Sequence, residues 1–174
     1  MGSLFQLFLM TPKQIERIQI KIGKIKKELA ADKKRWGGFY DDSKGLRYLP
    51  PELYLKIQDY SGALRYFNWF NKNFPEDCGF PIFLLEWTIT LFKKGKVENA
   101  EDKIIEVDDA DGHLISAFLE IESDFQADSE SSTWQTSSIA EYLLYSKNDV
   151  ELLDFAEWLT AFVQTEKYTA SHGR

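Results

Sequence analysis

The order of apolar and polar positions divides the chain into helical segments joined by turns. Ile15, Ile18, Ile22, Ile25 and Leu29 recur at spacings of three, four, three and four, with Lys and Arg around them. That spacing places the five side chains along one stripe of an α-helix. Thr11 is the expected N-cap, Pro12 suits the first helical position, and Gln14 completes a capping box. The stripe covers about two heptads, fewer than a coiled coil needs. It predicts an amphipathic helix packed on its own domain. The sharper alternative is a seam that pairs with a partner or a second copy.

Residues 35–51, "RWGGFYDDSKGLRYLPP", break the helical pattern with three glycines and two prolines, so a loop or set of turns is expected there. Helical residues return after Pro51, and Asp59 ends that short helix or caps the next. Residues 60–74 form the next helix, closed by Pro75. Residues 81–94 are apolar on nearly every face, which marks a central buried helix with Gly95 as its C-cap. Further helices are expected at 97–107, 113–124, 135–146 and 149–166. Ser138 with Glu141 and Asn148 with Glu151 supply the start signals of the last two. The polar stretch 124–133 reads as an exposed loop, and 167–174 as a frayed tail. No segment alternates as a strand would. The fold class is therefore all-α, with about seven or eight helices. Residues 1–35 would be an N-terminal extension and basic helix, and 36–166 a single helical domain.

An internal repeat organises the middle of the chain. Shifted by 37 residues, Ala63, Phe67, Phe70 and Pro75 fall on Ala100, Ile104, Val107 and Gly112. Each unit is helix, turn, then a second helix entered with a small residue. Here the chain resembles tetratricopeptide-type helical repeats, whose usual period is about 34 residues. Tyr54, Ala63, Phe67 and Pro75 match in the first unit. Leu84, Leu91, Gly95 and Ala100 match in the second, with Ile104 at the large position. Phe70 and Val107 depart from the family's small residue late in the second helix. Pro50 and Pro51 shorten the first helix, and Thr88 stands where Gly or Ala is usual. The resemblance covers residues 50–112. The wider block from Trp36 also looks like bacterial proteins with degenerate repeats of this kind, a likeness that implies no activity. What the resemblance implies is a short right-handed array of antiparallel helix pairs with a recognition face for a protein or peptide.

Charge sharpens this picture. The net charge is −7, but residues 12–35 hold nine Lys/Arg against three Asp/Glu, while residues 97–154 hold two against sixteen. Solvated helix faces are the plain reading of both blocks; a docking surface for a charged partner is the alternative. The overall acidity argues against a nucleic-acid binder. The stretch "YSGALRYFNWFNKNFP" (60–75) carries six aromatic residues but little charge, which also disfavours a base-stacking platform. Ala63, Phe67 and Phe70 are expected to face inward, and Tyr66 and Phe74 to extend that side. Trp69 is left as core, groove or interface.

The N-terminal "MGSLFQLFLM" lacks a basic region and a long enough apolar run for a signal peptide, and Gln6 breaks the myristoylation pattern. Met1 and Met10 are both plausible starts. The run "FPIFLLEWTITLF" is too short for a membrane span and contains Glu86. One cysteine, Cys78, excludes an intrachain disulfide, and a cytoplasmic setting fits it.

Catalytic and metal signatures are weak. A calcium loop set on Gly112 would have Val107 and Phe118 at its first and last ligand positions, so Asp111 reads instead as an N-cap. His113 and His172 form no zinc pattern, Cys78 has no local base, and no phosphate loop occurs. No catalytic residue, metal or cofactor is expected. Tyr40, Asp41, Asp42, Arg47 and Tyr48 on the 36–48 loop, together with Trp69, are the candidate binding residues. The plain reading of that loop is a connector whose aromatics dock on helices while Asp41 or Asp42 pairs with Arg47. The function expected is a non-enzymatic interaction module with a protein or peptide partner. A small enzyme or ligand binder using the 36–48 loop is the alternative, and self-association through the Ile15–Leu29 seam a third.

Overall fold

The computed structural model describes residues 10–40, 45–121 and 142–171. Among them all regular structure is helical: α1 Pro12–Arg35, α2 Pro50–Lys56, α3 Tyr60–Asn73, α4 Pro81–Lys93, α5 Val97–Ala110, α6 Leu114–Leu119, α7 Leu153–Phe162 and α8 Glu166–Ser171. Single 3-10 turns occupy Leu46–Tyr48 and Val150–Leu152. No described helix is long and apolar enough to cross a membrane.

The chain forms two compact units, one through Gly79 and one from Phe80. In the first, α1 packs on α2 and on the 3-10 turn, and α2 pairs with α3. The capping box at Thr11 is formed: its hydroxyl accepts the Gln14 N–H, and the Gln14 side chain accepts the Thr11 N–H at 2.8 Å. Along the α1 stripe, Ile22, Ile25 and Leu29 are buried, whereas Ile15 and Ile18 are only partly so. On α3, Ala63, Phe67 and Phe70 are essentially inaccessible, and Tyr66 is buried beside them.

In the second unit, α4 pairs with α5, and α6 and α7 pack against these two. Phe83, Leu85, Ile89, Ile104, Val107, Leu114, Phe118, Phe155 and Leu159 are closed off from solvent. The threonines of α4 are buried without loss, because Thr88 and Thr90 donate their hydroxyls to the Leu84 and Glu86 carbonyls at 2.9 and 2.8 Å. Glu86, also buried, accepts the Tyr145 hydroxyl at 2.7 Å.

The 37-residue repeat is present in the backbone. Shifting the limits of α3 by 37 gives those of α5. Both turns use a Schellman arrangement, in which the N–H groups just past a helix return to its last carbonyls. Gln58 donates to Leu55 at 2.9 Å and Gly95 to Phe92 at 2.8 Å; Asp59 donates to Tyr54 and Lys96 to Leu91, both at 2.9 Å. The second helices then start with Ala63 donating to Asp59 and Ala100 to Lys96, at 2.9 and 3.0 Å. They end with Phe74 donating to Phe70 and Asp111 to Val107, at 2.8 and 2.9 Å. The two hairpins thus share turn, entry and exit. They differ in the cap: the Asp59 carboxylate accepts the Gly62 N–H at 2.8 Å, and Lys96 has no such group.

Several expectations are corrected. The segment 143–146, expected as helix, is irregular; residues 135–141 lie outside the described set. Its backbone is engaged elsewhere: Ser146 N–H donates to the Asp149 carboxylate at 2.8 Å and Lys147 N–H to the Phe118 carbonyl at 3.2 Å. Asn148 is not a cap; its amide donates to Glu120 at 3.1 Å. The helix expected at 149–166 starts as a 3-10 turn, is α-helical only over α7, and gives way to α8. Helix α6 stops at Leu119, with Glu120 left-handed (φ 52°). Asp111 does not cap it directly; its carboxylate accepts the His113 N–H at 2.9 Å. The expected tail is helix through Ser171, because Tyr168 is buried and donates to Asp108 at 2.9 Å. Lys167 pairs with Glu101 and Asp102 at 2.9 and 2.8 Å. Positions 124–133, 138 and 141 lie outside the described residues.

Candidate functional site

In the first unit, α1 and α3 leave a cleft between them. Lys26, Ala30 and Lys33 line it from α1, at spacings of four and three. Tyr66, Trp69 and Asn73 line it from α3, at spacings of three and four. These spacings put each trio on one helix face. Tyr40 completes the lining from the chain that leaves α1. That exit is fixed by Gly38, whose N–H donates to the Lys33 carbonyl at 2.8 Å. The cleft encloses about 350 Å³.

Its walls are aromatic and its rim is cationic. The Tyr40 ring meets Trp69 edge-on at 6.1 Å, and Trp69 lies 5.2 Å from Tyr66. Lys33 lies over the Tyr40 ring at 5.4 Å and donates to the Asn73 amide oxygen at 2.9 Å. The Tyr40 hydroxyl reaches the same oxygen at 3.4 Å, and Asn73 is oriented by donating its NH2 to the Trp69 carbonyl at 2.7 Å. Burial first, and the Asp32 carboxylate second, raise the Tyr40 phenol above its ordinary pKa, so it serves as a neutral hydrogen-bonding group. Trp69 is half-buried, and so is a groove residue rather than core.

A second cluster braces the 3-10 turn. Asp77 pairs with the Arg47 guanidinium at 2.8 Å and accepts the Tyr48 hydroxyl at 2.6 Å. Arg47 also donates to the Tyr48 hydroxyl at 3.1 Å, and its carbonyl accepts the Tyr66 hydroxyl at 2.6 Å. The guanidinium lies 4.6 Å from the Phe74 ring centre. Burial and then the bond to Asp77 raise the Tyr48 phenol, against an opposing effect of Arg47. Phe74 touches both clusters, with its ring 4.6 Å from Tyr40 and 5.7 Å from Trp69.

The six candidate residues therefore separate. Tyr40 and Trp69 share the cleft, Arg47 and Tyr48 belong to the brace around Asp77, and Asp41 and Asp42 lie outside the described residues. Sequence reasoning missed Lys26, Lys33, Tyr66 and Asn73 as cleft residues. The seven-residue interval between the lysines was visible within the basic run, but its facing partner on α3 was not. No group of three or more His, Cys, Asp or Glu suited to a metal occurs among the described residues. Cys78 is exposed and free. Chemically the cleft can hold an anion against an aromatic surface.

Compared with protein-family models, curated proteins and solved structures, the chain matches none.

Proposed function

We propose that the protein is a helical interaction module that takes an extended segment of a partner protein into the α1–α3 cleft. The observation that carries this reading is the lining itself: Tyr40 and Trp69, backed by the buried Tyr66, beside a half-buried lysine whose hydrogen-bond partner is a neutral amide. A ring surface beside a cation is suited to a chain that combines apolar and anionic groups. The repeated hairpins, with common hydrogen bonds 37 residues apart, support a repeat scaffold of the tetratricopeptide kind. Self-association through the α1 stripe has less to recommend it, since Ile22, Ile25 and Leu29 are already buried.

A second reading, a small-molecule binder at the same cleft, is favoured by its size, which falls within the range of about 300 to 1,000 Å³ common for ligand sites. The test is a peptide selection from a random display library on the full-length protein. Recovered peptides should bind a folded Trp69→Ala variant at least about tenfold more weakly, a loss of about 1.4 kcal/mol. Peptides that bind both proteins equally would place recognition elsewhere and end the cleft reading.

A further inference from the structure

Resting on the cleft as the binding site, we propose that its partner is an acidic segment in the polyproline II conformation, with carboxylates on residues three apart. Lys26 and Lys33 are seven residues apart on α1, so they lie on the same helix face at almost the same angle. At the helical rise they are separated by about 10 Å along the axis. A polyproline II chain repeats every three residues and advances about 9 Å in doing so. Acidic side chains three apart on such a chain would face both lysines at once. A β-strand offers its same-face side chains at about 7 Å or 13 Å and fits less well.

Charge selects the acid. Lys26 is exposed, Lys33 bonds to the Asn73 amide oxygen at 2.9 Å, and neither is paired with a carboxylate among the described residues. The surrounding α1 sequence adds Lys24, Lys27, Lys34 and Arg35 to the field. The rings select the conformation. Tyr40 and Trp69, the latter backed by the buried Tyr66, form a groove wall on which the flat faces of prolines can lie. Tyr66 is buried and committed through its hydroxyl to the Arg47 carbonyl, so it fixes the Trp69 ring from behind. A chain already held in polyproline II also loses less conformational freedom on docking.

The test uses the full-length protein and fluorescein-labelled synthetic peptides, read by fluorescence anisotropy. The probe is four repeats of Pro-Pro-Glu. Its controls are the same repeat with Gln for Glu, and a peptide of identical composition with the four glutamates contiguous. The Glu repeat should bind, and both controls should bind at least about tenfold more weakly. Binding should weaken as salt rises. The double variant Lys26→Gln/Lys33→Gln, at one exposed and one half-buried position, should lose the preference for Glu over Gln while keeping its circular dichroism.

Equal binding of the Gln repeat overturns the acidic assignment but leaves the cleft reading standing. Equal binding of the contiguous-glutamate peptide overturns the spacing. A preference for Glu that survives in the double variant overturns the site. No binding of the Glu repeat overturns the proposal, and the display selection with Trp69→Ala then decides the cleft reading separately. Tighter binding of a single-stranded oligothymidylate, lost in the double variant, overturns it in favour of nucleic acid.

Discussion

Gln58 and Gly95 occupy the same place in two hairpins, 37 residues apart, and both are left-handed, with φ of 55° and 69°. Only one of them is glycine. The L-residue at 58 is held there by the hydrogen bonds on either side, from Gln58 to Leu55 and from Asp59 to Tyr54. A left-handed non-glycine residue costs about 1 to 2 kcal/mol, part of which glycine returns as extra freedom of the unfolded chain. Gln58→Gly is therefore expected to stabilise the protein by about 0.5 to 1 kcal/mol. Gly95→Gln should destabilise it by about 1 kcal/mol or more. Urea denaturation of the two variants checks both signs.

Gly62 is required for the close approach of α2 and α3. A methyl group there would lie 2.5 Å from the Tyr54 ring and closer still to the Asp59 carboxylate. The ring is buried, and the carboxylate is the cap of α3. Gly62→Ala should cost about 2 to 4 kcal/mol, from overpacking and partial loss of the cap. Asp59→Ala, which removes only the cap, should cost about 1 kcal/mol. A thermal melt of Gly62→Ala no lower than that of Asp59→Ala would contradict the packing argument.

Asp77 holds the 3-10 turn through Arg47 and Tyr48. Replacing it with Ala leaves a half-buried guanidinium and phenol without their shared acceptor, at an expected cost of about 1 to 3 kcal/mol. Arg47→Lys should not substitute, because an ammonium cannot make the same planar contacts to the carboxylate, Tyr48 and Phe74. Hydrogen exchange should speed up at residues 46–49 in both variants while the α4–α5 hairpin keeps its protection.

Helix α8 should release in alkali. Burial, and then the bond to Asp108, raise the Tyr168 phenol well above its ordinary value of 10.0. A folded-state pKa above the unfolded one means that the folded form retains its proton longer. The contribution is full below about pH 10 and falls as pH rises through the folded value. Tyr168 should thus show phenolate absorbance only well above its ordinary value of 10.0. Tyr168→Phe should reduce stability at neutral pH and flatten its decline above about pH 10. An unchanged alkaline slope in that variant would assign the decline to other groups.

The parts of the fold legible in the sequence were those governed by neighbours along the chain. The Thr11–Gln14 box, the proline that opens α4 and the Gly95 turn are local chemistry, and each stands where its residues placed it, whereas Pro50 and Pro51, expected in the loop, open α2. The repeat was legible because both hairpins bury the same positions. The failures lie where distant groups intervene. Ser146 gives its N–H to Asp149 and Lys147 its own to the distant Phe118 carbonyl, and α8 exists as a docked element through a contact 60 residues away. The candidate site was half legible for the same reason. Tyr40 and Trp69 were singled out by composition, but Lys26 and Lys33 gain meaning only from α3 facing them. The expected partners of Arg47, Asp41 or Asp42, lie outside the described residues; among those described, Asp77, 30 residues on, pairs with it.

Phe74 carries a last consequence. Its ring is a shared wall: Tyr40 and Trp69 meet it from the cleft, and Arg47 from the brace. A ligand in the cleft whose binding orders Phe74 would link the cleft to the 3-10 turn, and such linkage acts in both directions. A ligand that fixes Tyr40 and Trp69 would slow hydrogen exchange at Leu46–Tyr48, a segment it does not touch. Loosening that turn by mutation would in turn weaken the same ligand.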